Sequence, residues 1–177
     1  MHSLFTTWIL STANAAPQEV GVALRQGNCS IATEYTPSAE EWNYQLAIGE
    51  CLIELGQIDR AAALLSQVPE PWTGHAELYQ AQGTALIQQH TKAIQLSQSV
   101  LERPNLSPEL KASASLILAR SYISEGAYLK ARDLLRPLLT PKRSVDGYIP
   151  AANEIDPAEV RWLLAEGARL RGSTASS

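Results

Sequence analysis

Two carboxylates one helical turn apart, Glu50 and Glu54, are the residues of this sequence best spaced for chemistry. On a helix they share a face, and two carboxylates in different environments are what general acid–base catalysis requires. Nothing near them in sequence would raise the pKa of one above the other, so they read as an acidic, groove-lining or solvated face. Glu40 and Glu41 are a second such pair. The histidines His2, His75 and His90 are scattered, and His90 reads as a solvated turn residue. Cys29 and Cys51 form no C-x-x-C and have no paired histidines, which argues against a metal site. They read as two small buried thiols in preference to a bridge, because free cysteine packs as a small hydrophobe. Export would make a disulfide available. The sequence has no G-x-S-x-G, P-loop, G-x-G-x-x-G or H-E-x-x-H. It therefore implies no enzyme activity and no cofactor.

Composition narrows the class. The 177 residues are 45% hydrophobic and 18% charged, which fits one domain or one compact array of small units. Ala, Leu, Gln and Glu enter helices at little cost. Residues 1–90 hold two basic and nine acidic side chains, and residues 91–177 hold twelve basic and nine acidic. That basic half is too dilute for a nucleic-acid footprint, so nucleic acid is not an expected partner. No run approaches the length of a transmembrane span. At the N-terminus a short apolar run, Leu4 to Leu10, leads to Ala13-Asn14-Ala15, an A-x-A cleavage signature. Residues 1–16 thus read as an export leader and the compartment as periplasmic or otherwise exported; without export it would be cytoplasmic.

The elements that position these residues announce themselves by repetition. "GECLIELGQIDRAAALL" (Gly49–Leu65) is answered by "ARSYISEGAYLKARDLL" (Ala119–Leu135). Each has a small residue, a large one three on (Leu52, Tyr122), a turn glycine (Gly56, Gly126), an alanine (Ala61, Ala131) and a closing Leu-Leu. Gly83, Leu86 and Ala93 form a degenerate third copy whose turn has lost its glycine and two residues. The periodicity predicts four helix pairs and half of a fifth. These are Pro17–Gln26 with Asn28–Tyr35, Ser38–Leu55 with Gln57–Val68, and Trp72–Gln89 with Thr91–Arg103. The fourth runs from Ser107 through a turn at Gly126 to about Leu139. Ser38 and Glu41 have capping-box spacing. "PKRSVDGYIPAANEIDP" reads as a loop, and Asp156-Pro157 precedes a last helix turning at Gly172. Small residues let paired helices approach; large ones (Leu52, Leu86, Tyr122; Leu65, Leu135) fill the layer between pairs. The period predicts a helical solenoid over residues 17–172 with a disordered tail at 173–177.

The phrase resembles tetratricopeptide repeats. Gly49, Leu52, Gly56, Ala61 and Leu65 fit that motif, as do Ala119, Tyr122, Gly126, Ala131 and Leu135, while Ala165, Ala168 and Gly172 supply a first helix alone. The family's early tryptophan is not in register at Trp42 or Trp72. The resemblance implies an all-α, right-handed superhelix of antiparallel helix pairs with a concave binding face. First helices line that face, which nominates Asn43, Glu50, Ile53 and Glu54 on the second pair. It nominates Glu77, Gln80, Thr84 and Gln88 on the third, and Ser113, Arg120 and Ser124 on the fourth. A polar groove, acidic at one end, suits a peptide, a protein or a neighbouring domain.

A narrower resemblance rests on the leader, the "GNCSIA" bend and the closing "DPAEVRWLLAEGARLRG". These are similar to the N-terminal helical region of soluble lytic murein transglycosylases, in which a solenoid arm precedes a lysozyme-like domain that cleaves peptidoglycan. The Glu-Ser pair of that catalytic domain does not occur in this sequence. The resemblance implies a non-catalytic arm associated with peptidoglycan or with a downstream catalytic domain. The alternative is an autonomous repeat module binding a protein partner.

Overall fold

The computed structural model describes residues 18–139, 142–144, 147–149 and 156–174. Its class is the expected one, helical almost throughout the described residues. The helices are α1 (Gln18–Arg25), α2 (Cys29–Ala32), α3 (Trp42–Glu54), α4 (Ile58–Leu65), α5 (Thr73–Leu86), α6 (His90–Glu102), α7 (Pro108–Ser124), α8 (Tyr128–Leu139) and α9 (Pro157–Thr174). None is long and apolar enough to cross a membrane. Within the segment expected to be a loop, β1 (Lys142–Ser144) pairs antiparallel with β2 (Gly147–Ile149) in a short ribbon. The expected leader, residues 1–16, and residues 175–177 lie outside the described residues.

One turn is written four times. Gly27, Gly56, Gln88 and Gly126 all have positive φ, at 68°, 73°, 61° and 75°. In each case the next residue's N–H donates to the carbonyl five positions before it: Asn28 to Ala23, Gln57 to Leu52, Gln89 to Thr84, Ala127 to Tyr122, at 2.7–2.9 Å. That bond closes a helix by the Schellman geometry, which needs a left-handed residue at the turn. Five residues beyond each turn stands a buried alanine: Ala32, Ala61, Ala93 and Ala131, each at most 1% exposed.

The third copy is therefore not shortened, and its expected register is corrected. Gln88 takes the glycine's place, so the small residue seven before it is Ala81, fully buried, not Gly83. Thr84, 4% exposed, stands where Leu52 and Tyr122 stand, and buried Ser97 stands where Leu65 and Leu135 stand. Leu86, expected to fill a layer, is 63% exposed. Other boundaries move by up to four residues, two of them as follows. The helix after Ser38 begins only at Trp42, because the Glu41 carboxylate turns back onto the Ser38 N–H (2.8 Å) and hydroxyl (2.9 Å) instead of leaving that hydroxyl to cap the helix. The Ser38 N–H, with help from the two hydroxyls of Ser38 and Tyr35, holds the Glu41 carboxyl below its ordinary pKa. At the other end, α9 runs through Gly172 to Thr174, so Gly172 is no turn and residues 173 and 174 are helical.

The chain divides into two compact units, Met1–Gly83 and Thr84–Ser177. In the first, α2 packs on α1 and α3, and α4 packs on α3, around Leu24, Ala32, Leu46, Ile48, Leu52 and Leu65. The α3–α4 approach is close: a Cβ on Gly49 would lie 2.5 Å from Leu65 Cδ2. A disulfide joins Cys29 of α2 to Cys51 of α3 with 5.0 Å between Cα atoms, within the ordinary range for a bridge. The reading of two free thiols is thereby corrected. In the second unit α7 packs on α6 and α8, and α9 on α8 and α7, around Ala119, Ala131, Leu135, Val160 and Leu163.

Candidate functional site

Each unit sets two non-consecutive helices side by side. In the first, Trp42 of α3 stacks on Trp72, which precedes α5, with ring centroids 4.5 Å apart and planes at 12°. Further along, the Tyr79 hydroxyl donates to Glu50 Oε2 at 3.1 Å. A Cβ on Gly83 would lie 3.2 Å from Ile53 Cγ1. Residue numbers rise together on both helices, so α3 and α5 run parallel, one repeat apart. The second unit has the same arrangement: Arg120 of α7 pairs with Glu159 of α9. A Cβ on Gly167 would lie 3.7 Å from Ile123 Cγ1, so α7 and α9 are also parallel.

Along the α3–α5 seam lie the stacked tryptophans, His75, and the Tyr79–Glu50 pair. All five side chains are half-buried. His75 tilts against Trp72 at 5.3 Å. Its burial lowers its pKa, which favours the neutral ring. Glu50 moves the other way: burial raises its pKa, the Tyr79 hydroxyl opposes that, and the Glu54 charge adds to it. The two carboxylates have different neighbours. Glu50 bonds to Tyr79, whereas Glu54 is exposed and lies 3.2 Å from Cys29 Sγ. A bridged sulfur carries no proton, so that contact is polar without being a hydrogen bond. Cys29, Cys51 and Glu54 are also the cluster of ligating atoms that lies within 4.8 Å among the described residues. With the two sulfurs bonded to each other, it offers a cation one carboxylate.

The nominated groove residues divide by burial. Glu50, Glu77, Gln80 and Ser113 are half-buried, and Glu54, Gln88, Arg120 and Ser124 are exposed. Asn43, Ile53 and Thr84 are 6%, 3% and 4% exposed. These three are core positions, since a ligand cannot reach a side chain already enclosed by its neighbours. Gln88 belongs to the third turn and Arg120 to the ion pair with Glu159. Sequence reasoning missed the Trp42–Trp72–His75 stack and the partner of Glu50. A signal was present: Trp42 and Trp72, Glu50 and Tyr79, and Ile53 and Gly83 are all about one repeat apart.

No protein-family model, no curated protein and no solved structure matches this chain.

Proposed function

We propose that this chain is a non-catalytic helical-repeat scaffold, a right-handed superhelix of the tetratricopeptide kind. We further propose that it works outside the cytoplasm as the binding arm of a peptidoglycan-processing lytic transglycosylase. The observation that carries the scaffold reading is the four-fold turn with its buried alanine. The parallel run of first helices within each unit supports it, because stacked helix pairs bring successive first helices alongside one another. The Cys29–Cys51 bridge supports an oxidising compartment. The α3–α5 seam is the binding surface: flat indole faces beside a carboxylate and a phenol can stack on sugar rings and bond their hydroxyls.

Co-sedimentation of the purified protein with peptidoglycan sacculi tests this reading. The protein is expected in the pellet, and Trp42→Ala together with Glu50→Lys is expected to release it. Wild-type protein left in the supernatant at low and at physiological salt would reject the peptidoglycan assignment. Capture of a defined envelope protein by the same seam would then favour the autonomous protein-binding module.

A further inference from the structure

Glu54 stands beside a bridged sulfur that has no proton to offer it. Its carboxylate lies 3.2 Å from Cys29 Sγ, although the side chain is exposed and water is at hand. The three donors, two sulfurs and one carboxylate oxygen, all lie within 4.8 Å of one another. Among the described residues no further His, Cys, Asp or Glu atom joins them. They come from two elements. Cys51 and Glu54 are three apart on α3 and share a face. Cys29 opens α2, which Asn28 caps by accepting from the Ile31 N–H. Repeat packing does not call for these residue types. Ile58 follows Gly56 at the distance by which Cys29 follows Gly27, and Gly83 follows Ala81 as Cys51 follows Gly49. In that copy the layer is apolar, with a Cβ on Gly83 lying 3.4 Å from Ile58 Cδ1, and Leu86 holds the place of Glu54.

We infer that, when the bridge is reduced, Cys29, Cys51 and Glu54 form a zinc site, so that α2 is fastened to α3 either by a disulfide or by a metal ion. The inference does not rest on the peptidoglycan reading. A dithiol donor reduces the bridge by exchange: it passes two electrons and two protons to the sulfurs, becomes a disulfide itself and leaves two thiols. Zinc then takes both as thiolates, their protons go to water, and Glu54 adds its carboxylate. Tetrahedral zinc, with sulfur at ~2.3 Å and oxygen at ~2.1 Å, sets its sulfurs about 3.8 Å apart and a sulfur about 3.5 Å from the oxygen. Cα atoms 5.0 Å apart allow that spread by side-chain rotation, and the Glu54 oxygen is already 3.2 Å from Cys29 Sγ. Two thiolates and a carboxylate this close repel one another, and a dication removes the repulsion. Thiolate donors select zinc over magnesium or calcium. Water takes the fourth position, on the side where Glu54 is exposed.

The test uses the whole chain, reduced with a phosphine and kept free of other metals and of oxygen. Titration with Co²⁺ is expected to give thiolate-to-cobalt charge-transfer absorption and the intense visible bands of a tetrahedral ion, saturating at one ion per chain. Zn²⁺ should remove both by displacement, and the oxidised chain should show neither. Glu54→Gln, at an exposed position, should keep native circular dichroism while weakening zinc binding at least about tenfold, since even the residues that orient metal ligands are worth that much. Zinc should also return the urea midpoint of the reduced chain toward that of the oxidised one, a shift that Cys29→Ser with Cys51→Ser should lose. Absence of charge-transfer absorption in the reduced chain, equal zinc affinity in Glu54→Gln, or equal binding by the oxidised chain overturns the proposal. So does one ion shared between two chains, which would replace Glu54 by the thiolates of a second copy.

Discussion

Reducing the Cys29–Cys51 bridge should destabilise the first unit by about 3 kcal/mol. The two residues are 22 apart in sequence, and the chain-entropy relation for a loop of that length returns about 3 kcal/mol at 25 °C. Local structure adds little resistance once the bridge is gone. Helix α2 has four residues, too few to persist alone, because nucleating a helix costs more than one turn returns. It is held by Cys29 and Ala32 at 8% and 0% exposure, by the α1 contact and by the bridge to α3. The assay is urea denaturation followed by circular dichroism, with and without reductant, and thiol alkylation read by intact mass. With urea slopes of roughly 1–3 kcal/mol/M, the reduced midpoint should fall by about 1–3 M. Cys29→Ala with Cys51→Ala should give the same curve in both buffers. Coincident curves for oxidised and reduced wild type, with alkylation showing that reduction occurred, would refute the reasoning. The bridge would then lie in a segment that orders no more of the unit than itself.

Three further outcomes follow from single positions. Gly49→Ala should destabilise by about 1–2 kcal/mol: its Cβ would lie 2.5 Å from Leu65 Cδ2 and 2.7 Å from Cγ. Overpacking costs typically 1–3 kcal/mol, offset by up to ~1 from better helix propensity; a rise in thermal midpoint would show that Leu65 has room to move. Gln88→Gly should stabilise by up to about 1 kcal/mol, because Gln88 is exposed and holds φ at 61°, a region costly for residues with a Cβ. Loss of stability in denaturation would mean that its side chain contributes more than its backbone costs. The third concerns pH. The folded pKa of Glu50 is raised, chiefly by burial, so the folded state binds this proton more tightly than the unfolded chain. Its favourable contribution is complete below the unfolded value and is lost as pH rises through the folded one. Glu50→Gln, which can still accept from Tyr79, should therefore gain on wild type as pH rises through that window. Parallel urea midpoints across it would contradict the assignment.

Helix type and pairing were legible because they rest on local chemistry: Pro108 after Ser107 starts α7, and Gly56 and Gly126 end α3 and α7. The third copy was misread for a physical reason. Glycine is the usual residue at a left-handed turn, but the turn is held by a backbone hydrogen bond that any residue can make at a conformational cost. Gln88 meets that cost, so the glycine nearest in sequence, Gly83, sits instead where α5 crosses Ile53. Cysteine pairing was not legible, because it depends on how α2 lies on α3 and not on a spacing. The site was half legible. A helical period says which residues share a face, and it correctly put Glu50 and Glu54 together in sequence. Which part of that face is enclosed depends on the next repeat: Ile53 is buried where Gly83 meets it, and Glu50 is turned to Tyr79 by the same neighbour. That dependence makes Ala165 informative. Gly49 and Ala119 occupy its position and are buried beneath a following helix, whereas Ala165 is exposed. The same repeat position is thus core in three copies (Gly49, Ala81, Ala119) and surface in α9.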